Sequence, residues 1–64
     1  MSSSKIYRKK FEELLAIEER LRYFYEYYLD RLEDPVLLGK FREIYEDEKM
    51  HIIFAQYCIE LTSK

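Results

Sequence analysis

Between Tyr7 and Leu32, apolar or aromatic residues return at alternating three- and four-residue steps: Tyr7, Phe11, Leu14, Leu21, Tyr25, Tyr28 and Leu32. This is the spacing of a helix that buries one stripe, and it predicts a first helix over about residues 6–32. Ile17 and Phe24 widen the stripe beyond what a bare two-stranded coil needs. One step of the series is filled by an acid, Glu18. The second half of the chain keeps the same rhythm with Leu37, Phe41, Ile44, Ala55, Cys58 and Thr62. Leu38, Tyr45, Ile52 and Ile59 flank it one place on, and together they predict a second helix over about residues 35–62. Two polar residues interrupt this second seam, Glu48 and His51.

Leu32-Glu33-Asp34-Pro35 separates the two patterns. Asp34 is suited to cap a helix, and Pro35 fits the first helical position, where its missing N–H costs nothing. A connection this short makes the helices antiparallel neighbours. Gly39 falls inside the second helix and should cost about 1 kcal/mol against Ala there; a close approach of another helix is one reason for such a residue. With the turn centred near Glu33, residues meet when their numbers sum to about 66. Glu18 and Glu48 then lie at equal height, roughly 22 Å from the turn at 1.5 Å per residue. His51 follows Glu48 by three places, on the same helix face.

Size and composition sharpen this picture. Sixty-four residues make one small domain, expected over residues 6–64 after a disordered lead-in of residues 1–5. A chain this short buries too little surface to be comfortably stable alone, and a metal or an oligomer is the usual remedy. One Gly, one Pro, 38% charged and 48% hydrophobic residues describe an all-α protein. The net charge of −2 is spread through mixed acids and bases, and the only basic cluster is Arg8-Lys9-Lys10. No nucleic-acid partner is expected from such a surface. No apolar run is long enough to cross a membrane, and the first residues carry no apolar signal segment. Cys58 is the only cysteine; without an internal disulfide, a reducing, cytoplasmic setting is the expectation.

The chemistry is concentrated in Glu18, Glu48 and His51, the acidic and imidazole residues on the buried seams. A carboxylate on a buried seam needs a partner. Two carboxylates and an imidazole at one level make a metal ion the obvious one. By itself Glu-x-x-His is a weak signal: with ten Glu, the single His has roughly a one-in-six chance of a Glu three places before it. Seam position, equal height and a third ligand on the other helix make it much stronger. One hairpin leaves a side of its apolar stripe wet, so a second copy is expected to close a four-helix bundle. Such a homodimer offers four carboxylates and two imidazoles, and two divalent ions cancel the four charges. A metal-free alternative keeps Glu18 and His51 as a hydrogen-bonded pair that sets the register of a structural or interaction dimer.

At these residues the chain resembles one half of the ferritin-like di-iron superfamily, in particular rubrerythrins and encapsulated ferritins. Glu18, Tyr25 seven places later, the Asp34-Pro35 break, and Glu48 with His51 carry the resemblance over about residues 14–61. It implies a ferritin-like four-helix bundle and a ferroxidase that oxidises Fe(II) with dioxygen, with two iron ions per dimer. Manganese or zinc would also suit the oxygen and nitrogen ligands. Glu18 would be a terminal ligand, Glu48 would bridge, and His51 would bind one metal. Tyr25 would stand nearby, and Asp47 would orient the imidazole, although core packing explains Tyr25 equally and solvation beside Glu46 explains Asp47 better. Ordinary members carry both halves in one chain; here the site is intermolecular. No cysteine-rich electron-transfer segment accompanies the motif, which counts against a rubrerythrin-like peroxidase, the further alternative. An encapsulating shell protein is a partner implied by resemblance only, and exposed Tyr23 and Tyr27 are candidate surfaces for a higher oligomer.

Overall fold

In a computed structural model describing residues 2–63, with side chains from Ser4 onward, the chain forms two α-helices, α1 (Ser2–Leu29) and α2 (Pro35–Thr62). They pack side by side as an antiparallel hairpin about 50 Å long and 14 × 12 Å across. Asp34 caps α2 as expected. Its backbone is extended (φ −69°, ψ 118°), and its Oδ1 accepts hydrogen bonds from the N–H groups of Val36 (2.8 Å) and Leu37 (3.2 Å). Pro35 occupies the first turn. Among the described residues no helix is long and apolar enough to cross a membrane.

The first helix is shifted from its sequence-based bounds. It begins at Ser2 rather than near Ile6, so the expected disordered lead-in is helical among its described residues; Met1 lies outside them. The helix α2 reaches Thr62, level with this added turn, and Ser4 and Arg8 are half-buried. At the other end α1 stops at Leu29, not Leu32. The Tyr28 carbonyl takes the N–H groups of both Arg31 (3.0 Å) and Leu32 (2.9 Å), which closes the helix into the turn. The Arg31 guanidinium lies over the Tyr27 ring and donates to the Tyr27 carbonyl at 2.8 Å.

Which part of each stripe is buried also differs from the expected seam. Leu38, Phe41, Tyr45, Glu48, Ile52, Ala55 and Ile59 of α2 face Phe11, Leu15, Glu18, Arg22, Tyr25 and Leu29 of α1. The flanking stripe of α2 is thus the inner one, whereas Leu37, Ile44 and His51 are exposed. On α1, Tyr7, Leu14 and Tyr28 are likewise open. Each stripe is wider than one neighbour can cover, so each helix commits one edge to the other and leaves its second edge free. Among the described residues only Ile52 and Ala55 are buried hydrophobic residues. The chain exposes 5232 Å², against roughly 4,500 Å² for a compact monomer of its mass.

Gly39 approaches nothing within the hairpin. A β-carbon built there would meet no atom within 4 Å, and its φ is not positive. Neither close packing nor backbone conformation requires glycine. Gly39→Ala should therefore stabilise the protein by about 0.5–1 kcal/mol, read as a higher midpoint in urea or thermal unfolding.

Candidate metal centre

Glu18 and Glu48 are the two buried charged residues of the hairpin, 9% and 7% exposed. They sit midway along the helices, where a leucine would otherwise continue each stripe. The antiparallel register sets them level, and His51 joins them from one turn further along α2. One ligand atom from each of Glu18, Glu48 and His51 lies within 4.8 Å of the others. His51 Nδ1 is 3.0 Å from Glu18 Oε2 and 3.9 Å from Glu48 Oε1. The shorter contact is a hydrogen bond; with the proton on Nδ1, the imidazole donates and the carboxylate accepts.

The three residues are unequally covered. The side chains of Glu18 and Glu48 are 12% and 10% exposed, but that of His51 is 59% exposed. The expectation that all three are buried holds for the carboxylates and fails for the imidazole. His51 stands on the edge of α2 that α1 does not reach. By helical periodicity Leu14, Ile17, Phe24 and Tyr28 of α1 and Ile44 and Phe54 of α2 lie along that same side of the hairpin, all exposed.

Glu48 carries the strain of the site. Burial away from water raises its pKa above the ordinary carboxylate value. Hydrogen bonding with Glu18, the Glu18 charge and the Asp47 charge raise it further, and His51 opposes them. Its Oε2 atom is buried and has no hydrogen-bond partner. A buried acceptor without a donor is costly, and a cation is the simplest group to satisfy two facing carboxylates. The donor set of two carboxylates and one imidazole fits iron, manganese or zinc.

The other two sequence candidates stand apart from this cluster. Tyr25 is half-buried in an aromatic group near the turn, edge-on to Phe24 (5.3 Å) and to Phe41 (5.4 Å). Asp47 is exposed and acts on Glu48 through its charge. Among the described residues, neither hydrogen-bonds to the three ligands. The spacing reading missed Arg22, half-buried one turn from Glu18 and 3.3 Å from Glu26 Oε1. The signal was available in the inner stripe Leu15, Glu18, Arg22, Tyr25 and Leu29, of which the heptad from Tyr7 takes only Glu18 and Tyr25.

The raised pKa has a direct consequence for the metal-free protein. Between the ordinary carboxylate pKa and the raised one, the native state binds more protons at Glu48 than the unfolded chain does. Stability therefore falls as pH rises through that window, and Glu48 stays destabilising above it. Glu48→Gln should raise the metal-free melting temperature at pH 7 and flatten its dependence on pH above 4.5, measured by circular dichroism in chelator.

No protein-family model matches the chain, and no curated protein or solved structure matches it.

Proposed function

We propose that this hairpin is half of a di-metal carboxylate protein, a ferroxidase that oxidises Fe(II) with dioxygen at a site completed by a second copy. The observation that carries it is the cluster itself. Two buried carboxylates, one with an unsatisfied oxygen, and an imidazole gather at the border of an uncovered apolar face. A homodimer closed over that face would supply Glu18, Glu48 and His51 twice, the ligand set of di-iron carboxylate bundles. Two iron ions per dimer balance its four carboxylates, and manganese or zinc could occupy the same donors.

The protein's part in this chemistry is charge and placement. Glu18 and Glu48 hold negative charge where the substrate Fe(II) must bind, and they stabilise Fe(III) more strongly than Fe(II), which favours loss of the electron. Each Fe(II) gives up one electron; two of them, with two protons, reduce one dioxygen to hydrogen peroxide. Glu48 has one oxygen facing His51 and another without a partner, so both of its oxygens would be free to hold iron. His51, held by Glu18 but open to solvent, supplies the neutral donor at the mouth of the cluster. Apolar side chains around it exclude water from the closed dimer.

A second reading has its own observation. The His51–Glu18 hydrogen bond at 3.0 Å forms without a metal, so the pair could serve as the register device of a structural dimer. The two readings part on metal linkage. A ligand that binds only the folded form at a hundred times its dissociation constant adds about 2.7 kcal/mol. On the ferroxidase reading, chelation of the purified protein lowers the melting temperature, and Fe(II) or Mn(II) restores it. Equal melting temperatures with and without metal would favour the structural dimer.

Activity gives the second test. Aerobic Fe(II) oxidation, followed as Fe(III) absorbance, should exceed the buffer rate and fall to it in Glu18→Ala and His51→Ala. Turnover unchanged in both variants removes the proposal.

A further inference from the structure

The outer side of α2 carries an apolar patch that neither the hairpin nor the open face beside His51 uses. Met50, Ile53 and Tyr57 are 64%, 59% and 58% exposed. At about 3.6 residues per turn they share the side of α2 opposite Glu48, Ile52 and Ala55, which are turned onto α1. At the same height the outer side of α1 is Lys9, Glu12, Glu13 and Ala16, with no apolar side chain larger than alanine. A helix that is apolar on its outer as well as its inner side is packed on both. Spacing of three and four residues is that of a ridge that seats between the side chains of another helix.

The rim of the patch says which helix. Lys49 stands at its beginning and Glu60 at its end, on the same edge and eleven residues apart. Among the described residues Lys49 pairs with Glu46 of its own helix alone, at 3.1 Å, with its ammonium 4.9 Å from the centre of the Tyr45 ring. Glu60 is exposed and has no ion pair among the described residues. Opposite charges at the two ends of one apolar stripe make the surface complementary to itself when one copy is turned over.

We propose that the outer face of α2 pairs with the same face of a second copy, antiparallel about a two-fold axis that crosses the outer side of α2 between the levels of Ile53 and Tyr57. That pairing lays Ile53 against the partner's Tyr57 and Met50 towards the partner's Leu61. It brings each Lys49 to the partner's Glu60, so that two ion pairs bracket the apolar centre. Exposed ion pairs add little affinity and instead set orientation; the apolar side chains supply the attraction. The contact lies on the opposite side of α2 from Ala55 and the metal ligands. It does not depend on the ferroxidase reading, and it would join bundle dimers into a larger particle.

The test is particle mass by light scattering after size exclusion, on the full chain with and without metal. Ile53→Glu places a charge on a solvent-exposed site of the hairpin, so helix content should persist while the mass falls at least by half. This holds whether the wild type is a larger assembly of bundle dimers or a dimer through this face alone, so failure of the metal reading leaves the result legible. Lys49→Glu and Glu60→Lys should each shift the equilibrium towards the smaller species, and the double exchange should restore the wild-type mass. Should Ile53→Glu lose helix content, the charge exchange decides. A wild-type mass of one chain, an unchanged mass in folded Ile53→Glu, or no restoration in the double exchange overturns the proposal.

Discussion

Two carboxylates facing each other inside a two-helix hairpin govern this structure. Glu18 and Glu48 lie buried at one level midway along the two helices, and each takes a position that an aliphatic side chain would fill at no electrostatic cost. Hydrophobic substitution of such buried charges commonly stabilises a protein. The hairpin has little stability to lose, since Ile52 and Ala55 are the whole of its fully apolar core among the described residues. The pair therefore has to be compensated. Within one chain the compensation is partial: His51 satisfies Glu18, and Glu48 keeps a bare oxygen and a raised pKa.

Incomplete compensation and incomplete burial have the same origin. The apolar stripes span more of each helix than an antiparallel neighbour can cover, and the hairpin resolves this by turning one edge of each stripe inward. The remaining edges lie on one side of the molecule, with His51 between them. Glu18 and Glu48 sit on the boundary, covered by the hairpin yet adjoining the open face. Were the helices rotated to bury His51 instead, Ile52 and Tyr45 would turn towards solvent. The observed rotation keeps the two most costly groups sheltered and leaves the imidazole, which tolerates water, at the opening.

Much of this was legible in the residues. The alternating three- and four-residue steps marked both helices, and Asp34-Pro35 marked the start of the second. Equal spacing about the turn brought Glu18 level with Glu48, because a hairpin fixes height by counting. Rotation about the helix axes was less accessible. A heptad drawn from Tyr7 chose Leu14, Leu37, Ile44 and His51 for the seam. Each is one edge of a broad stripe whose other edge, Leu15, Leu38, Tyr45 and Ile52, packs equally well by pattern alone. The N-terminal serines were read as frayed from composition, although the backbone is helical from Ser2 and Ser4 is half-buried. Arg22 escaped notice because a charged residue on an inner edge looks the same in sequence as one on the surface.

The open face and the carboxylates also bear jointly on assembly. Bringing two hairpins together over that face buries apolar surface, which favours association. It also brings four acidic groups to one level in a medium of lower dielectric, which opposes it. Without a cation the second effect grows with the same closeness that the first requires. A divalent ion reverses its sign, because each carboxylate then attracts the shared charge more than it repels its neighbours. Association and ion binding at such a site are thermodynamically reciprocal: whatever factor one adds to the affinity of the other is returned in full. On the di-metal reading a solitary hairpin is therefore poor at both, and the incomplete cluster of Glu18, Glu48 and His51 is what couples them.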